Sequence, residues 1–295
     1  MARQKFGSSH TKEKLDVISG YLESYTTALS RTGFRLVYFD AFAGTGSVEI
    51  GPSDSAVDQK DLLASVDDIN PIIEGSARRA LQLSRPFDEY VFVESSKRKA
   101  ADLEQLKGEF PDLADRITIR NSDANEELIQ FCRNTNWKGT RSVVFLDPCG
   151  SQAGWHTICE ISKTEAIDLW YLFPDFLSVF RQISKDGRTT PEAAASIDRI
   201  LGPGDWRTAF ITKEHRKDLF DQPQQYGEKR VTVDQITRFM IEQMQSEFRG
   251  GVLESWLPLG PGGQHWFSLL FAWANPSKRA SSLAKRIARH LMVRD

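Results

Sequence analysis

FRLVYFDAFAGTGS, Phe34 to Ser47, decides the fold of this chain. An apolar, aromatic and β-branched run ends in Asp40 and opens at once into the turn Gly44-Thr45-Gly46. Buried parallel strands read as near-continuous apolar runs, and a glycine turn behind one lets the backbone approach a nucleotide-like ligand. An acid at the strand end can accept hydrogen bonds from that ligand. A tight strand-to-loop turn gives the same local pattern, so the rest of the chain must decide between them.

Outward from this stretch, each following apolar run ends in an acid or a polar site. Before it, Leu15, Ile18, Leu22, Tyr25 and Leu29 recur at three- and four-residue spacing, which predicts a helix over 11–32 stopped by Gly33. After it, the acidic stretch from Gly51 to Pro71 reads as a loop or partly helical insertion over the ligand mouth, and Gly75 to Ser84 as a short helix. Strands are expected at Glu89–Glu94, Ile117–Asp123, Ser142–Gly150 and Ala166–Pro174, with helices at Lys97–Glu109, Asn125–Arg133 and Trp155–Lys163 between them. Strands alternating with helices predict a parallel, doubly wound sheet.

The rhythm is lost over 175–225. Helical pieces at Pro191–Leu201 and Lys213–Phe220 around Gly202-Pro203-Gly204 predict a helical insertion, a lid or substrate-recognition element. A helix at Val233–Phe248 returns to the core. Val252–Leu259 and Trp266–Trp273 flank Gly260-Pro261-Gly262-Gly263 as a C-terminal β-hairpin, and a basic amphipathic helix covers Ser277–Leu291. The whole, 1–295, reads as a single domain.

Ligands of a doubly wound sheet sit outside the carboxyl ends of its strands. Asp40, Phe42, Gly44 and Gly46 stand there, followed by Glu94, Asp123 and Asp147. An adenosine-containing cofactor needs such a set: glycines to make room, an acid for the ribose hydroxyls, a polar group for the adenine amine. Glu94 ends the second strand, where nucleotide-binding units carry their ribose acid. S-adenosylmethionine fits better than a dinucleotide. The turn lacks the full GxGxxG, no helix starts behind it to hold a pyrophosphate, and Asp40 would attract a sulfonium but repel a diphosphate. The competing account is that Glu94 and Asp123 cap the helices that follow them.

Asp147-Pro148-Cys149-Gly150 resembles the Asp-Pro-Pro-aromatic signature of methyltransferases that act on exocyclic amines. There the acid and the next carbonyl accept hydrogen bonds from the amine, and the aromatic residue stacks on a flipped base. Here the second proline is Cys149 and the aromatic position is Gly150, leaving Trp155 or His156 as candidates for the ring; a core role for Trp155 is the alternative. A Pro-Cys pair also matches pyrimidine carbon-5 methyltransferases, whose thiolate attacks the ring, while a cysteine beside a pocket also serves as a small packing residue.

Composition bounds these readings. With 295 residues, 40% of them hydrophobic, the chain can bury a full core, and its net charge of −2 lacks the global basic signature of many nucleic-acid binders. Local patches remain, above all Lys278, Arg279, Lys285, Arg286 and Arg289 on the C-terminal helix, a phosphate-tracking face or a solvated one. Cys132, Cys149 and Cys159 have no CxxC spacing, which argues against a disulfide framework or a metal site. No apolar run reaches the roughly 18 residues of a membrane span, and the start lacks a signal-peptide core, so a soluble cytoplasmic protein is expected.

KLDVISGYLESYTTAL, FRLVYFDAFAGTGS, GSARRAL, FDEYVFVE, VVFLDPCGSQAGWHTI, AIDLWYLFP and HWFSLLFAWANP together resemble the bacterial three-Cys-motif partner (TcmP) family, collinearly from about Lys12 to the C-terminus. The resemblance implies a Rossmann-like class I methyltransferase fold with a mostly parallel seven-stranded sheet. With the strand-end residues read above, S-adenosylmethionine is the expected cofactor, held by Asp40, Phe42, Gly44, Gly46, Glu94 and Asp123, with Asp147 and Pro148 orienting the acceptor. A nucleic-acid base amine is the expected acceptor. The family takes its name from a separate protein with three motif cysteines, so the implied partner is that protein, and the cysteines of this chain are not the motif. Members more often carry an aromatic residue at the place of Cys149, which argues against a shared cysteine nucleophile. The rival is a methyltransferase-like scaffold for that partner, with weak or no catalysis.

Overall fold

The computed structural model of the chain describes residues 8–45, 47–50, 69–217 and 223–292. β1 (Arg35–Asp40) is the central strand, because every residue after Arg35 is buried and both its edges are paired. It runs parallel to β4 (Glu89–Val93) on one side and β6 (Thr140–Leu146) on the other, with Val37 opposite Glu89 and Ser142. β5 (Ile117–Arg120) extends the sheet beyond β4, and β7 (Ile167–Phe173) beyond β6. The chain therefore moves outward one way, returns, and moves outward the other way. The gap between β1 and β6 is the switch in strand order, the place where such sheets bind ligands.

β12 (Phe267–Trp273) adds to β7 antiparallel, Ser268 opposite Phe173. Its other edge is taken by β10 (Gly251–Val252) and β11 (Leu257–Leu259), which pair with opposite halves of β12 and occupy one broken strand position. The order β10-β12-β7-β6-β1-β4-β5 is the anticipated mostly parallel sheet of seven positions, with its C-terminal hairpin turning at Gly260–Gly263.

Alternate residues of each strand feed two cores. On one face Val37, Phe39, Val144 and Tyr171 meet α4 (Ala124–Asn134), α5 (Trp155–Lys163), α7 (Pro191–Leu201) and α9 (Val233–Glu247). On the other, Tyr38, Phe92, Phe145 and Trp170 meet α1 (Ser8–Leu29), α2 (Ser76–Leu81), α3 (Lys97–Glu109) and α10 (Lys278–Met292). Each fully buried aromatic stabilises the fold by about 1.5–3 kcal/mol. α1 is also tied to β7 by Tyr21, whose hydroxyl donates to Asp168 at 2.6 Å.

Two segments differ from the sequence expectation. The stretch read as a loop from Gly51 to Pro71 lies outside the described residues up to position 68. Ile69–Pro71 instead begin β3 (Ile69–Glu74), which pairs antiparallel with β2 (Ser47–Ile50). In the segment read as a helical insertion, α6 (Asp175–Ser178), α7 and α8 (Trp206–Phe210) are helices, but Lys213–Lys217 are strand. They belong to β8 (Ile211–Lys217), paired along its length with β9 (Pro223–Lys229); the rest of the anticipated helix, to Phe220, lies outside the described residues. Lys-Glu-His-Arg-Lys suits a helix by propensity, but once α8 ends at Phe210 the ladder to β9 satisfies the backbone, and tertiary pairing overrides a weak local preference.

Candidate functional site

The turn behind β1 is pinned from both sides. Ala41 donates its N–H to Phe145 on β6 at 3.1 Å, and Ala43 donates to Val93 on β4 at 3.0 Å. Gly44 then takes φ +62° with open space where a Cβ would stand, so backbone conformation rather than crowding calls for glycine. Gly46 lies outside the described residues.

Phe42 and Gly44 line a cavity of about 300 Å³ at the carboxyl ends of β1, β4, β5 and β6. The same cavity receives Glu94, Asp123, Asp147 and Cys149, so four successive strand ends do converge on one space. Glu94 is anchored there: its Oε1 accepts the N–H of Ser96 at 2.7 Å, and Asn121 donates to its carbonyl at 2.8 Å. Its Oε2 accepts no hydrogen bond from the described residues. Asp123 caps α4 through Oδ1, which accepts from Asn125 and Glu126 at 2.9 and 3.1 Å. It thus satisfies the capping account and still borders the cavity.

Asp40 is placed differently from a cavity-lining acid. It is 0% exposed, behind the cavity wall, with Oδ2 accepting from the Ser76 hydroxyl at 2.5 Å and Oδ1 from the Phe42 N–H at 3.3 Å. Burial pushes its carboxyl up to about 7; the Asp147 charge adds to this, while the Ser76 and Phe42 hydrogen bonds and the Lys14 charge oppose it. Asp40 does not line the cavity, so its charge would act on a ligand there through space and not by contact.

At the end of β6, Asp147 is half-buried, Pro148 is buried, and the Lys14 ammonium from α1 is ion-paired with Asp147. His10, one turn earlier on α1, is held below its ordinary pKa by burial and by Lys14, against the opposing pull of Asp147. The loop that follows is fixed by Asn125, which donates to the Gln152 carbonyl at 2.9 Å and accepts from Gly154 N–H at 2.9 Å and the Thr157 hydroxyl at 2.8 Å. Arg199 on α7 donates to the Ser151 carbonyl at 2.9 Å, bringing α7 against this loop. Of the two candidate rings, Trp155 packs so closely on Gly202 that a Cβ there would lie 2.5 Å from its ring, which makes it a packing residue. His156 is exposed.

Lys14, Ser96, Lys99, Asn125 and Gln152 belong to the site and were not singled out by sequence. Lys14 sits within the helical string that resembles the TcmP family, but periodicity marks it only as a polar face. Asn125 opens a helix after an acid, and nothing local announces that its side chain ties another loop.

The strand order, with its single antiparallel insertion of β12, and the acid-lined cavity at the β1/β6 switch define a class I methyltransferase-like fold. No family model matches the chain, and no curated protein matches it. Among solved structures it is similar to protein LPL1258 from Legionella pneumophila, of family DUF519, at 12% identity over 94% of this chain and 92% of that one, with a TM-score of 0.44. It is also similar to the putative methyltransferase yhhF from Escherichia coli, at 14% identity over 71% of this chain and 84% of that one, TM-score 0.30. The magnesium protoporphyrin IX methyltransferase ChlM from Synechocystis, solved with bound S-adenosylmethionine, matches at 14% identity over 78% of this chain and 86% of that one, TM-score 0.31. These likenesses are distant, and the fold class rests on the topology itself. No described helix is long and apolar enough to cross a membrane.

Proposed function

We propose that the chain is an S-adenosylmethionine-dependent methyltransferase of the TcmP family that acts on a nucleic-acid base amine. The observation that carries this reading is the cavity gathering Gly44, Glu94, Asp123 and Asp147 at the switch point. Its donor set suits the cofactor: Glu94 for the ribose hydroxyls, Asp123 for the adenine edge, and the φ-positive Gly44 for close passage of the methionine. Bound there, the cofactor supplies a methyl group that leaves sulfur with the electron pair behind as a nitrogen bonds to it. Asp147 and the Pro148 carbonyl accept the amine hydrogens and aim its lone pair, and the proton lost from nitrogen passes to solvent. Buried Asp40 adds a charge that favours a cationic ligand.

Nucleic acid as partner is supported by α10. Lys278, Arg279, Lys285, Arg286 and Arg289 are exposed, and no acid lies on the helix. They span twelve residues, about 16 Å of helix axis at 1.5 Å per residue, in two groups, Lys278-Arg279 and Lys285-Arg286-Arg289, about 9 Å apart, a reach of several phosphates along one strand. The apolar face, Ala284, Ala288 and Met292, is spent on the protein core and is not open to a membrane.

A second reading, a scaffold for the separate three-cysteine protein, draws on one observation: Asp147 is already engaged by Lys14, in a motif that has lost its aromatic residue. Titration calorimetry with S-adenosylmethionine tests the proposal. Micromolar binding, with methyl transfer to RNA or DNA from labelled cofactor, supports it; a folded protein that binds no cofactor refutes it and leaves the scaffold.

A further inference from the structure

The amine-directing motif lacks its ring at Gly150, and Trp155 is packed away, yet aromatic side chains do stand at the edge of the next strand. Leu146 on β6 is paired with Tyr171 on β7, so Asp147 and Leu172 are level, about 5 Å apart across the sheet. β7 leaves the sheet into α6, which carries Phe176; β12 enters it opposite Phe173, so Trp266 arrives at the same edge. The Phe176 ring is stacked with Phe180 at 5.6 Å and 18°, and with Trp266 at 6.3 Å and 20°. Phe180 rests on the core of one sheet face and Trp266 on that of the other. Three near-parallel, partly exposed rings therefore gather past the carboxyl end of β7, the strand next to β6, which Asp147 follows. The Lys229 ammonium closes the row, 3.7 Å from the Phe180 ring centroid.

A buried polar knot holds the row. Asp175, 0% exposed, accepts the N–H of Phe176 at 2.8 Å through Oδ1 and the hydroxyls of Ser268 and Thr237 at 2.5 and 2.8 Å through Oδ2. His265 Nε2 lies 2.9 Å from the same Oδ2, and its Nδ1 3.1 Å from Asp234. The knot thus joins the residue before Phe176 to the residue before Trp266. A partnered network whose centre, Asp175, Thr237 and Ser268, is buried specifies one arrangement where apolar residues would pack at lower desolvation cost.

We infer that Phe180, Phe176 and Trp266 form a stacking platform for unpaired bases of the acceptor strand, replacing the ring that the Asp147 motif lacks, with Asp175 and His265 as its positioning residues. The inference rests on the nucleic-acid reading of the acceptor and narrows it to single-stranded or flipped bases. Aromatic faces accept any base, and the Lys229 ammonium, which donates to the carbonyls of Phe180 and Ile183 at 3.1 and 2.8 Å, holds the Phe180 end of the row in place.

Binding of labelled oligo(A), oligo(C) and oligo(U), and of a duplex, is measured by anisotropy without cofactor. The wild type is expected to prefer a single strand. Phe176→Ala and Trp266→Ala should each weaken that binding about ten- to a hundredfold, Trp266→Phe much less, with duplex binding little changed. His265→Gln should weaken single-strand binding while the unfolding midpoint and S-adenosylmethionine affinity hold; equal loss of cofactor affinity would mark the knot as merely structural. Folded alanine variants that bind single strands like the wild type, or a wild type that binds no strand, overturn the platform. Absent cofactor binding with intact, ring-dependent strand binding would remove the transferase proposal and leave the platform standing.

Discussion

Lys14 and Asp147 are ion-paired although 133 residues separate them, and the pair straps the start of α1 across the end of β6. The Lys14 side chain is 12% exposed and that of Asp147 27%, so neither charge is fully hydrated. Removing one partner leaves the other poorly compensated. Lys14→Met should cost about 1–2 kcal/mol in chemical denaturation, less than a fully buried pair because Asp147 keeps some solvent. A double-mutant cycle with Asp147→Asn should return a coupling of about 0.5–2 kcal/mol, and additivity of the two changes would show that the strap carries no energy.

Glu94 lines the cavity and has one carboxylate oxygen fixed by Ser96. If it accepts both ribose hydroxyls, Glu94→Ala loses a charge-assisted contact worth about 1.5–3 kcal/mol, or roughly ten- to a hundredfold in S-adenosylmethionine affinity by calorimetry. A folded variant with wild-type affinity would take the ribose role from this residue.

Asp40 couples the site to pH. Its ordinary value is 3.8 and its folded value about 7, so between these the folded chain keeps a proton that the unfolded chain has lost. The stability contribution of Asp40 is therefore most favourable below about 4 and declines as pH rises through about 7. A cationic cofactor nearby favours the ionised acid, so below pH 7 its binding must expel a proton. Affinity should rise between pH 6 and 8, by at most about tenfold per unit, and Asp40→Asn should flatten both profiles. Cofactor affinity that falls over that range in the wild type would contradict the charge role.

Sequence showed the parts of this molecule whose signal is local. Asp147 and Glu94 were visible because a strand end is marked by the apolar run before it, and the hairpin at Gly260–Gly263 by its glycines. Asp123 was legible as an acid between an apolar run and a helix, although β5 stops at Arg120 and Asp123 is the cap of α4 that also borders the cavity. Burial was not legible: Asp40 looks like its fellow acids in sequence, and its full burial, with Ser76, Tyr38 and the Phe42 N–H around it, sets it apart. Nor were pairings across the fold, such as Lys14 with Asp147 or Asp175 with His265, which have no spacing to reveal them. β8 was misread because its residues favour a helix and its partner strand decides otherwise.

The basic face of α10 makes a quantitative claim. Each phosphate neutralised on a single strand contributes about −0.7 to the slope of log affinity against log salt. Replacing Lys285, Arg286 and Arg289 by glutamine should shallow that slope by about 2 and weaken binding alike for all base compositions. An unchanged slope would reduce the helix to a solvated face.

The chemistry at β6 divides on two residues that share one cavity wall, Asp147 and Cys149. If Asp147 orients an amine, Asp147→Ala abolishes methyl transfer and spares cofactor affinity, since it touches the acceptor rather than the adenosine. The change also strands Lys14, so it is paired with Lys14→Met to separate loss of chemistry from loss of fold. Cys149→Ser is then mild, because no nucleophile is removed. Were Cys149 the nucleophile, serine would be nearly inactive, a hydroxyl being far less ionised than a thiol near neutral pH, and a 5-fluoropyrimidine strand would be trapped covalently on the protein. Amine methylation forms no such adduct. The expected outcome is an active Cys149→Ser enzyme with no adduct by mass spectrometry. An inactive serine variant together with a trapped strand would move the reaction from nitrogen to ring carbon, and loss of cofactor binding in Lys14→Met/Asp147→Ala would move Asp147 from the acceptor to the cofactor.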